Sequence, residues 1–158
     1  MITADDRIVA YQLAVARKRN GDPHVIVGNG EPLTELRKAI DDGRVDEAIV
    51  AQNRALNWHN YDEEIEGTFS SGEPPIAEPV KVDRAVEFLR WSIEDDATIL
   101  AALLDAFGPL HAAWRLDPTF LTADFFDSEG CNYAWLLATA DRWYAILTSF
   151  YPCPRPFP

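Results

Sequence analysis

Residues 52 to 64, QNRALNWHNYDEE, hold the densest mixture of chemistry-bearing side chains in the chain: a glutamine, three asparagines, a histidine, two aromatics and three carboxylates. His59 ionises near neutral pH, so it could serve as a general base with Asp62 or Glu63 orienting its ring. As a recognition patch, Trp58 and Tyr61 would be the anchors and the amides and carboxylates a polar rim. As plain structure, the stretch is a helix C-terminus running into an acidic loop, its amides capping carbonyls. The structural reading weighs most, because a lone histidine without a neighbouring nucleophile does not complete a catalytic set.

Other candidates are weaker. His24, His59 and His111 lie on separate segments, and none makes an i, i+3 or i+4 pair with another histidine. A metal needs three or four converging ligands, so no metal site is predicted. Cys131 and Cys153 have neither metal-ligand nor redox spacing. Gly28-Asn29-Gly30 has the first two glycines of a dinucleotide-binding turn and lacks the third, and it reads as a connector between helices. Asp141 and Arg142 are sequence neighbours and cannot face each other across a helix turn, so each needs its own partner if covered. Together with Gln52 and His59 they are the residues from which a ligand pocket would be built. No catalytic residue and no cofactor are predicted, and the chain is not read as an enzyme.

Charge says more than motif. Fourteen Lys and Arg against twenty-six Asp and Glu give a net charge of -12. Direct binding to a nucleic-acid backbone or an anionic membrane needs a basic face, which this composition does not provide. It suits simple solubility first, and otherwise a basic protein partner or a cationic ligand. From Tyr61 to Pro79 there are six carboxylates and no Lys or Arg. Trp58, Tyr61, Asp62, Glu63, Glu64 and Glu66, with the second acidic run Glu94, Asp95 and Asp96, form the predicted partner-binding surface.

Those residues must be held by a scaffold. A chain of 158 residues, nearly half of them apolar, fits a single globular domain over 1–158. A first helix is predicted over 4–20, with Thr3 as N-cap, Asp5 and Asp6 in the first turn, and Arg17, Lys18 and Arg19 in the last. Val25 to Val27, with His24, could form one short strand near 24–27. Helices follow over 31–42 and 45–59, the latter with Val45, Ile49, Leu56, Gln52 and His59 on one stripe. An irregular acidic connection occupies 61–81. Two further helices begin near Val82 and Ala97, the second stopped by Gly108 and Pro109. A short helical piece is expected within 110–116, and Thr119 or Thr122 caps a turn in 119–127.

The longest apolar run, CNYAWLLATADRWYAILTSF over 131–150, reads as a central helix, apolar almost all round and enclosed by the rest of the domain. On that reading about 30 Å of helix separates Cys131 from the following tail, too far for a disulfide. The tail YPCPRPFP, 151–158, is extended and proline-rich. The expected fold is therefore an all-α bundle of five to six helices around 131–150.

Asp5, Asp6 and Arg7 interrupt the start where a signal peptide would be apolar, and Asp141 and Arg142 make a membrane span at 131–150 costly. A reduced, cytoplasmic protein is the simplest expectation. The leading functional reading is an acidic protein-binding module, of inhibitor or immunity type, docking to a basic partner, which could be one that processes nucleic acid. The alternative is a small-molecule-binding protein or enzyme subunit with its site at Gln52, His59 and the aromatic helix. A second alternative is a structural subunit of an oligomer.

Overall fold

In a computed structural model, residues 3–29, 38, 42, 77–118 and 129–158 are described. The architecture is α+β, which overturns the all-α expectation. Among the described residues, helix α1 (Ala4–Arg19) leads into strand β1 (Gly21–Asn29), and β2 (Ala77–Val80) precedes α2 (Val82–Ser92) and α3 (Ala97–Phe107). Strands β3 (Ala112–Leu116), β4 (Cys131–Ala138) and β5 (Arg142–Phe150) complete the chain. The five strands form one sheet in the order β1-β5-β4-β3-β2, antiparallel at every junction.

The helices follow the local signals closely. Thr3 caps α1 through a reciprocal box: its hydroxyl accepts from the Asp6 N–H at 3.1 Å, and the Asp6 carboxylate accepts from the Thr3 N–H at 2.9 Å. Asn20, in the left-handed region at φ 53°, closes α1. Asp96 caps α3 through the Ile99 N–H at 3.1 Å. Gly108, at φ 78°, ends that helix where a side chain would be strained.

The central prediction fails at 131–150. Those residues are not a helix but the β4–β5 hairpin, with Cys131 opposite Phe150 and Ala138 opposite Trp143. Thr139 makes the turn: its hydroxyl accepts from the Arg142 N–H at 3.0 Å, and its own N–H donates to the Arg142 carbonyl at 2.8 Å. Both faces of these strands are buried, so the apolar pattern is continuous rather than alternating. A continuous run has no period that separates a sheet from an enclosed helix.

Two smaller expectations change with it. The helical piece expected within 110–116 is strand β3, hydrogen-bonded between β2 and β4. The strand near 24–27 extends over Gly21–Asn29 and takes β5 as an antiparallel partner, so Gly28 lies in a strand rather than a connector turn. The end of the 61–81 connection is strand β2, and the expected helices over 31–42 and 45–59, the rest of the connection and the turn at 119–127 lie outside the described residues. Pro79 and Pro23 sit in β2 and β1, the two outermost of the described strands, and a missing backbone donor is tolerated at an edge.

One sheet face carries Tyr133, Trp135, Leu137, Tyr144, Ile146 and Phe150, which share a core with Ile8, Tyr11 and Val15 of α1, Phe88 and Leu89 of α2 and Leu103 and Phe107 of α3. The opposite face carries Trp114, Leu116, Leu136, Trp143 and Leu147, also buried but not part of that cluster. The register places Gly28 against Trp143 on this second face. A Cβ on Gly28 would fall within the indole ring, so only glycine fits there.

Candidate functional site

The sequence-predicted site residues do not converge among the described parts of the chain. Gln52, Trp58, His59, Tyr61, Asp62, Glu63, Glu64 and Glu66 lie outside the described residues. Asp141 and Arg142 are exposed in the β4–β5 turn, and the Thr139 hydroxyl lies 3.3 Å from the Asp141 carboxylate. The enclosed helix that would have carried them does not form, and the demand for two buried partners disappears with it.

Glu94, Asp95 and Asp96 occupy the turn between α2 and α3. Glu94 and Asp95 adopt left-handed backbone, at φ 53° and 61°. Asp96 accepts from the Lys18 ammonium at 2.8 Å and from the Ile99 N–H, and these bonds, Lys18 first, hold its carboxyl below the usual carboxylate range. Glu94 stands 4.0 Å from the Arg19 guanidinium. The run is thus a helix cap laced to the basic end of α1 as much as an acidic patch. Asp105, the remaining carboxylate on α3, pairs with Arg7 of α1 at the surface.

The described residues hold a different cluster, which sequence reasoning missed. The tail after β5 turns back over the sheet, and Phe157 is buried among aromatic rings. Its ring centroid lies 5.4 Å from Phe88, 5.6 Å from Trp91 and 6.1 Å from Trp135, with the Arg84 guanidinium 4.3 Å above it. The Phe157 N–H donates to the Tyr133 hydroxyl at 2.9 Å. Arg115 lies 5.4 Å from the Trp135 ring and within 3.5 Å of the Pro158 carbonyl oxygen. Alternating prolines marked the tail as extended, yet nothing local marked Phe157 as an anchor.

A Cys131–Cys153 disulfide ties this tail to the start of β4, with the two Cα atoms 5.1 Å apart. The expectation that the cysteines are too distant is therefore wrong. The hairpin returns the chain so that Phe150 sits opposite Cys131, and three further residues bring Cys153 into bonding range. Both cysteines are consumed by this bond.

For catalysis the described residues offer little. No group of three or more His, Cys, Asp or Glu that could hold a metal occurs among them. Tyr11 and Ser92, 3.0 Å apart, are the buried hydroxyl pair. Burial raises the Tyr11 pKa, so the phenol stays protonated and cannot act as a base. His24 is half-exposed, 3.7 Å from Asp22. No helix among the described residues is long and apolar enough to cross a membrane. Compared with models of protein families, with curated proteins and with solved structures, the chain matches none.

Proposed function

We propose that this protein is an acidic binding module that docks to a basic protein partner, in the manner of an inhibitor or immunity protein. The observation that carries the reading is where the charge lies. The described residues hold fourteen carboxylates and eleven Lys and Arg, so nine of the twelve excess negative charges belong to the remaining segments. In the described part, Asp6, Glu87, Glu94, Asp96 and Asp105 already have hydrogen-bonding or cationic partners within the chain. In sequence, the densest acidic run of the remaining segments is Asp62, Glu63, Glu64 and Glu66. A field of one sign over a surface speeds encounter with a partner of opposite sign and loses strength in salt.

The test is a comparison of charge reversals against a basic partner captured from the native host. Glu63→Lys, Glu64→Lys and Glu66→Lys together should weaken association by at least tenfold, while Asp5→Lys with Asp6→Lys should leave it within about threefold. Equal effects, or an affinity unchanged between low and high salt, would end the proposal. Cytoplasmic residence belongs to the same proposal and meets an opposing observation, the Cys131–Cys153 bond, since disulfides persist mainly in oxidising compartments. Thiol counting on protein taken directly from its host decides that point.

A further inference from the structure

We propose that the tail is a disulfide-latched plug: Phe157 fills an aromatic box that reduction opens to a proline-flanked aromatic peptide. This inference goes beyond the acidic-surface reading and does not depend on it.

The box is built from three elements. Phe88 and Trp91 come from α2 and Tyr133 and Trp135 from β4, with Arg84 and Arg115 at its edges. Aromatic-lined grooves of this composition bind proline-rich segments, because an extended proline helix is already ordered and loses little entropy on docking. The present occupant has that chemistry: Pro154, Pro156 and Pro158 alternate around Arg155 and Phe157. The Trp135 indole N–H is buried and has no hydrogen-bond acceptor among the described residues.

The position of the disulfide makes it a latch on the tail rather than a staple of the sheet. Cys153 lies beyond the last residue of β5 and is exposed. Breaking the bond leaves the β4–β5 hydrogen-bond ladder untouched and frees only the segment that carries Phe157. An external dithiol would perform the step. The one S–S bond breaks, two electrons and two protons pass to the sulfurs of Cys131 and Cys153, and the dithiol departs as its own disulfide. The tail then competes for the box only through its backbone tether, as a local ligand at a millimolar-scale effective concentration.

The experiment reads the plug directly. Hydrogen exchange of the Phe157 amide, which donates to Tyr133, is measured by NMR in the full chain, oxidised and reduced, and in Cys153→Ser. Exchange at Phe157 should quicken at least tenfold on reduction and in Cys153→Ser and should then outpace the amides of β4 and β5, which open only with the whole fold. In parallel, the acetylated peptide Pro-Arg-Pro-Phe-Pro is titrated into Phe157→Ala, followed by tryptophan fluorescence. It should bind the reduced variant at least tenfold more tightly than the oxidised one. Equal Phe157 protection in both redox states would overturn the latch, because Phe157 would then be ordinary core. Absence of saturable peptide binding to the reduced variant, or equal affinity in both states, would overturn the box. Should Phe157→Ala fail to fold, the exchange measurement on the unaltered chain decides alone.

Discussion

Removing either member of the buried Tyr11–Ser92 pair should destabilise the protein, and the two removals should not cost the same. Both residues are fully buried and their hydroxyl oxygens lie 3.0 Å apart. The Ser92 hydroxyl also lies 2.7 Å from the Leu89 carbonyl, to which it donates its single hydrogen. The proton between the pair must then come from Tyr11. Tyr11→Phe removes a donor and leaves Ser92 still donating to Leu89, a loss of about 1 kcal/mol, the net worth of one hydrogen bond. Ser92→Ala leaves a phenolic O–H buried without an acceptor, which adds a desolvation penalty and brings the loss to about 2–3 kcal/mol. The double variant has neither orphan and should lose less than the sum of the two. Urea unfolding at neutral pH, with unchanged slope, gives all three values. A Ser92→Ala loss no greater than that of Tyr11→Phe, or strictly additive losses, would refute the assigned direction of the bond.

Three further outcomes follow from the same geometry. Gly28→Ala should lower stability by about 1–3 kcal/mol in urea unfolding, because the new methyl must displace the Trp143 indole from a closely packed face; a neutral result would remove that contact from the fold. Cys153→Ser opens a loop of 22-residue separation and should cost about 3 kcal/mol by loop-closure entropy, seen as a Tm about 6–12 °C lower in a thermal melt. The Asp96 carboxyl is held below its ordinary value of 3.8 in the folded protein, so the unfolded chain takes up the proton first as pH falls. Its contribution is therefore present at neutral pH and fades below about pH 5, and Asp96→Asn should flatten the acid limb of the stability profile measured by urea unfolding.

Whatever is settled within a turn or two of chain is legible in the amino-acid sequence. The Thr3 box, the Asp96 cap and the Gly108 stop are local hydrogen-bond and backbone requirements, and α1 and α3 lie where those signals put them. Net charge is a sum over residues and needs no fold, so the acidic-surface reading does not depend on the architecture. Much of the predicted site falls outside the described residues, whereas Asp141, Arg142 and the 94–96 run sit on separate turns.

The decision at 131–150 belonged to tertiary structure alone. A strand buried on both faces and a helix buried all round are equally apolar, so periodicity could not separate them. The discriminating signal was Thr139-Ala140-Asp141-Arg142, a polar interruption that reads as charged residues in a helix or as a turn in a hairpin, depending on what the flanks pair with. Once the chain folds back there, Cys131 meets Cys153 and Phe157 reaches the rings of α2 and β4. Contacts between residues far apart in sequence are set by packing, and no local pattern encodes which of two equally apolar partners will meet.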